Sequence, residues 1–104
     1  AGTGTVAMRT KPCDLIDGAT ARSLVAAGAQ LVDVRSPAEY AAGHLDSAIN
    51  LPLPDLTDQQ ATLPKDRPLI VYCASGHRAR QATLQLCEAG LRVYDLGPMS
   101  AWGS

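Results

Sequence analysis

Pro68-Leu69-Ile70-Val71-Tyr72-Cys73, followed by Ala74-Ser75-Gly76-His77-Arg78, is the stretch whose reading decides the fold. A short apolar run, opened by a proline and closed by small residues and a glycine, reads as a strand buried on both faces. Directly after it, Arg78 to Ala89 places Ala79, Ala82, Thr83 and Leu86 on one helical face and stops at Gly90. The next apolar run, LRVYDL (91–96), is a further strand, and GPMSAW closes the chain.

The same alternation continues towards the N-terminus. Asp17 is the expected N-cap of a helix through Ala19, Ala21, Leu24, Val25 and Ala26, with Gly28 as its C′ stop. LVDVR (31–35) is a second buried strand. Ser36, Pro37 and Glu39 then form a capping box with proline at the first helical position, predicting a short helix that ends near Gly43. AINLPL (48–53) reads as a brief strand, and the prolines at 52, 54, 64 and 68 confine 52–68 to loops and at most a short helix. Strands alternating with helices predict an α/β domain: a small, mostly parallel sheet with helices on both faces. Such sheets place their chemistry at the carboxyl ends of the strands, here the loops after Val34 and Tyr72.

Composition narrows the function. The 104 residues suffice for one domain, expected over 11–104. The first ten, small and weakly patterned, are expected to be a tail outside the fold, either an expression remnant or an N-terminus exposed by processing. Hydrophobic residues at 46 % and charged residues at 18 % exclude a disordered chain. Nine basic against ten acidic residues, a formal charge of −1, leave no basic stripe for nucleic acid or an anionic membrane. No run approaches a membrane span. The cysteines are Cys13, Cys73 and Cys87, and an odd count without a CxxC pair argues against a disulfide framework and a cysteine-rich zinc site. At least one free thiol suits a reducing compartment, so the cytoplasm is expected ahead of the periplasm.

Cys73 lies where a buried strand ends and a helix is about to begin. A tight turn there aims backbone N–H groups into a concavity, and the helix N-terminus adds partial positive charge. Gly76 supplies a conformation most residues resist, Ala74 and Ser75 leave room above the sulfur, and Arg78 adds a permanent cation. This setting is expected to lower the thiol pKa below about 8.5 and to stabilise an anionic sulfur. A lone cysteine after a strand is most often a buried small hydrophobe. The glycine and arginine that follow this one point instead to a nucleophile.

Three segments in order, LVDVRSPAEYAAGHLDSAINLPL, IVYCASGHRA and EAGLRVYDLGPMSAW, resemble the rhodanese family from about Asp14 to Trp102. The resemblance implies a rhodanese-like fold and a sulfurtransferase whose loop cysteine cycles between thiol and persulfide. Cys73 is then catalytic, and Ala74, Ser75, Gly76, His77 and Arg78 form the loop that holds substrate and persulfide through the amides of residues 74–78. Implied partners are a small-molecule sulfur donor such as thiosulfate, a thiophilic acceptor (cyanide in the assay, thiols in the cell) and a protein persulfide. No metal or organic cofactor is implied, and a monomer is expected. Related phosphatases and arsenate reductases have a wider loop, with one residue more between cysteine and arginine. That spacing favours sulfur transfer here. A persulfide carrier or interaction module is the remaining alternative. The loop has few cations, so thiosulfate, a dianion, is expected to bind modestly.

Other residues carry weaker signals. Asp33 and Arg35 alternate onto one face and form either a structural ion pair or a pair that orders the loop. Glu39 is accounted for by the capping box, and His44 by a structural hydrogen bond in a turn. For His77, substrate binding, proton transfer and a solvent-facing position all stand open. Cys87 is expected to be half-exposed filler, Cys13 to be structural, and Trp102 to be a packing lid. Pro98 stands where the family commonly has glycine.

Overall fold

The computed structural model describes residues 11–103, so the expectation for residues 1–10 falls outside the described residues. In chain order the elements are α1 (Gly18–Ala26), β1 (Gln30–Asp33), α2 (Pro37–Ala42), β2 (Ile49–Asn50), α3 (Leu56–Gln59), β3 (Leu69–Cys73), α4 (His77–Glu88) and β4 (Val93–Pro98). Short 3-10 turns flank α3 and close the chain at Met99–Trp102. The expected elements are all present. The LVDVR strand stops at Asp33, two residues early, and the last strand starts late at Val93 and runs on to Pro98.

The strands lie in the order β2-β1-β3-β4, and every pairing is parallel. Parallel neighbours need crossover connections, which is why a helix or coiled segment separates each strand from the next. Because side chains alternate, β3 feeds two cores at once. Leu69, Val71 and Cys73 join Val32, Leu56, Leu63, Ala79, Ala82 and Leu86 on one face. Ile70 and Tyr72 join Leu31, Ala21, Leu96 and Ile16 on the other. All five residues of β3 are buried, so the central strand is apolar at each position and ends on a buried thiol.

Local signals account for the helix ends. Asp17 caps α1 by accepting from the Thr20 amide at 2.8 Å. The Ser36 hydroxyl accepts from the Glu39 amide at 3.2 Å, while the Glu39 carboxylate accepts from the Ser36 amide at 3.0 Å, closing the capping box. Half-buried Trp102 packs on the second core, as expected of a lid. Its carbonyl accepts from Arg22. A β-carbon at Gly18 would overlap the Ala101 and Trp102 carbonyls, so glycine is needed where α1 meets the closing turn. In β4 a bulge between the partners of Val71 and Tyr72 leaves Leu96 unpaired. Buried Asp95 stabilises that bulge by accepting from the Gly97 amide at 2.8 Å, and burial raises its carboxyl above the usual range.

The cysteines depart from expectation. Cys13 and Cys87 form a disulfide with Cα atoms 5.9 Å apart, leaving Cys73 as the free cysteine. Cys87 is half-buried as expected, but it is a cross-link and not filler. The Cys13 amide donates to Val93 O at 2.6 Å and its carbonyl accepts from Arg80 at 2.8 Å, which holds this residue at a positive φ of 77°. No local spacing signals the bond, because 74 residues separate its ends. Only Cys73 retains the thiol on which the expectation of a reducing compartment rests. Among the described residues, no helix is long and apolar enough to cross a membrane.

The bond closes a long loop, so its main effect is to restrict the unfolded chain. Cys13→Ser is expected to lower the unfolding free energy by about 2–4 kcal/mol, read from urea unfolding. An unshifted midpoint would show that the cross-link is not formed in solution.

Candidate active site

The candidate site is the turn between β3, which ends at Cys73, and α4, which begins only four residues later at His77. The chain makes this short turn through one residue in the left-handed region. Gly76, the N-cap of α4, takes it at φ 105°. A β-carbon there would sit 3.6 Å from Pro98 Cδ, an ordinary contact. Glycine is therefore required by the backbone dihedral and not by crowding. Pro98 and Gly97, at the end of neighbouring β4, form the adjacent wall, so the departure at Pro98 leaves the turn intact.

Cys73 is fully buried beneath this turn. Its Sγ accepts from the Gly76 amide at 3.0 Å and from the Ala79 amide at 3.3 Å. The expected donors were the amides of residues 74–78. Gly76 is the member of that set bonded to Sγ, and the second donor is Ala79, one residue beyond it. The reason is the orphaned first turn of the helix: the amides of His77, Arg78 and Ala79 have no intrahelical acceptor, and the third reaches back to the sulfur. Counting three amides from the Gly76 cap would have identified Ala79. Those of His77 and Arg78 remain for an anion bound beyond Sγ.

The loop side chains are arranged as follows. Ala74, Ser75 and His77 are exposed. Ser75 Oγ lies 3.2 Å from His77 Nδ1, so the imidazole is tied to the loop surface. Arg78 is not a free cation. It grips Glu39 through Nη1–Oε1 at 2.7 Å and Nη2–Oε2 at 3.0 Å, a bidentate fork-to-carboxylate pair. The Arg78 side chain, with the Ser36 amide, holds the Glu39 carboxyl at about 2, and Glu39 in turn raises Arg78. Glu39 therefore has two tasks, closing the cap of α2 and anchoring the start of α4. The second was missed by the sequence reading, because a pair 39 residues apart has no local pattern.

Asp33 and Arg35 do form an ion pair, at 2.7 Å, and both are buried. They do not touch the loop. Arg35 lies over the Tyr72 ring, 5.8 Å from its centroid, on the sheet face opposite Cys73, and donates to Gly43 O at 2.6 Å. Asn50 bonds the Asp33 and Arg35 carbonyls, each at 3.0 Å. The pair thus ties the end of β1 to β2 and to the end of α2, which is the structural reading. Burial pushes the Tyr72 hydroxyl up to about 12, and it accepts from the Leu45 amide at 3.0 Å. His44 stacks on Tyr40 at 3.7 Å and bonds its carbonyl at 2.9 Å, a structural role as expected.

A buried cysteine at the carboxyl end of the central parallel strand, held by helix N-terminal amides, defines an α/β domain of the cysteine-loop class. The rhodanese-like domain pattern matches residues 18–104, and the chain belongs to that family. It is 42 % identical over 74 residues to a sulfurtransferase of Allochromatium vinosum, covering 69 % of each chain. It is 40 % identical over 75 residues to the thiosulfate sulfurtransferase GlpE of Shewanella oneidensis, covering 70 % of this chain and 74 % of that one. Among solved structures, reduced Bacillus anthracis CoADR-RHD superposes with a TM-score of 0.79 at 31 % identity, over 86 % of this chain and 16 % of that longer one.

Two outcomes test the site. Glu39 has its folded pKa below the unfolded value, so the pair's contribution to stability is complete above pH 4.5 and disappears as pH falls towards about 2. A carboxyl resonance assigned to Glu39 should titrate near that lower value, and a midpoint at 4.5 would show the pair to be open in solution. Gly76→Ala should destabilise the domain by about 1–2 kcal/mol through its left-handed dihedral.

Proposed function

We propose that this domain is a sulfurtransferase that carries sulfane sulfur as a persulfide on Cys73. The observation that carries the reading is the convergence of two N–H donors on Cys73 Sγ, which stabilises an anionic sulfur where no side-chain base is bonded to it. The names borne by the relatives support the same reaction class.

In the first half-reaction the Cys73 thiolate attacks the outer sulfur of thiosulfate or of a persulfide donor. The new Sγ–S bond forms as the donor S–S bond breaks, and sulfite or a thiolate leaves with the electron pair. In the second, an acceptor (cyanide in an assay, a thiol in the cell) attacks that outer sulfur, and Sγ departs as thiolate to the Gly76 and Ala79 amides. The amides of His77 and Arg78 stabilise the persulfide's terminal charge.

The acceptor is external. With Cys13 and Cys87 joined, no second free thiol is present among the described residues to receive the sulfur. A low-molecular-weight thiol or a protein partner therefore completes the cycle. The four residues between Cys73 and Arg78 make a small ring, which favours a single sulfur over a phosphate or arsenate group.

Intact-mass analysis after incubation with thiosulfate, mercaptopyruvate and glutathione persulfide in turn should show a gain of one sulfur atom on the wild type. Cys73→Ser should remove both that gain and thiosulfate:cyanide activity. Retention of either by the variant would refute the mechanism. Phosphatase turnover without sulfur loading would favour the wider-loop relatives instead.

A further inference from the structure

Three arginines follow the ends of β1 and β3 in the chain, and each is paired with a carboxylate. Arg35 is locked to Asp33, Arg80 lies 3.7 Å from Asp95, and Arg78 is gripped at both nitrogens by Glu39. Of these, Arg78 alone belongs to the loop over the sulfur. Arg78 lies in the first turn of α4, one residue before Ala79, whose amide bonds Cys73 Sγ. The Arg78–Glu39 pair is only partly exposed, with about a third of each side chain in solvent. Its geometry occupies the two terminal nitrogens that would otherwise fork onto an oxyanion.

Resting on the sulfurtransferase reading, we infer that Glu39 is a specificity residue that withholds the Arg78 charge from the loop and so disfavours dianionic sulfur donors. Helix amides then supply most of the positive potential at the sulfur. Amide dipoles are aimed and short-ranged, whereas a free guanidinium attracts any anion in proportion to its charge. Neutralising Arg78 therefore weakens binding of thiosulfate, with two charges, more than binding of a donor with one. Glu39 is well placed to act this way because its carboxylate is itself fixed. The Ser36 amide holds Oε1, and Ser36 with Pro37 sets the start of α2. The partner of Arg78 is thus positioned by a capping box and not by a mobile surface chain.

The covalent step is the same for both donor classes, which makes the comparison clean. Thiosulfate gives up its outer sulfur and releases sulfite. Benzenethiosulfonate, a monoanion, gives up its terminal sulfur and releases benzenesulfinate. Each forms the same Cys73 persulfide, and no oxidant or reductant is consumed.

The test is steady-state kinetics of Glu39→Gln against wild type with both donors and cyanide as acceptor. Releasing one positive charge in the first turn of α4 should lower KM about five- to tenfold for thiosulfate and about two- to threefold for benzenethiosulfonate, with kcat changed little. A variant that merely loosens the loop would instead lose kcat with both donors in equal proportion, and that result, or an unchanged donor preference, overturns the inference. Glu39→Asp, which keeps the charge, should retain the wild-type preference.

Salt dependence of the wild type provides a second measurement that does not depend on the variant folding. With Arg78 neutralised, thiosulfate kcat/KM should fall less than about twofold between low and physiological salt. A steep fall would show a free cation at the site and overturn the inference. If wild-type Cys73 takes up sulfur from neither donor, the sulfurtransferase reading fails, and this inference fails with it. If it loads normally while Glu39→Gln leaves the preference unmoved, only the role of Glu39 is refuted.

Discussion

Two N–H···S hydrogen bonds, from Gly76 and Ala79 to Cys73, join a strand buried at every position to the first turn of the helix that follows it. Most of the local architecture serves that junction. The strand must be apolar on both faces to occupy the sheet centre, so its last side chain is delivered into the core and not to solvent. The helix must begin four residues later for its orphaned amides to reach back to the sulfur. Gly76 is the residue that makes both possible, by turning the chain through a left-handed conformation.

Around this junction the charged groups are paired, not poised. Asp33 with Arg35 and Glu39 with Arg78 each join the end of β1 or the segment after it to another part of the fold. Arg35 ties β1 to the end of α2, and Arg78 ties the start of α2 to the start of α4. Helix α2 is short, only six residues, and these arginines hold both of its ends while Tyr40 packs its middle on the second core. What the loop presents around the sulfur is mainly backbone, with the exposed Ser75 and His77 side chains at its surface.

The disulfide acts at the other end of the same helix. Cys87 lies in the last turn of α4 and Cys13 in the segment that precedes α1. The bond fixes the C-terminal end of α4 to the segment before α1, while Arg78 fixes its N-terminal end to α2. Arg80, bonded to the Cys13 carbonyl and close to buried Asp95, adds a third tether between α4 and its surroundings. The helix that supplies the amides is thus tethered at both ends and near its start.

By itself the sequence determined the alternation of elements, the parallel sheet, the capping box at Ser36–Glu39, the left-handed turn at Gly76 and the placement of Cys73 at a strand end. These are legible because backbone hydrogen bonding and side-chain alternation act over a few residues, and each leaves a pattern of that length. Only the tertiary structure decided that Ala79 is the second donor to the sulfur, that Glu39 holds Arg78, that Asp33 and Arg35 lie on the face away from Cys73, and that Cys13 finds Cys87. The two side-chain pairings cross 39 and 74 residues. They depend on which strand ends the crossovers bring side by side, and no local run of residues encodes that juxtaposition.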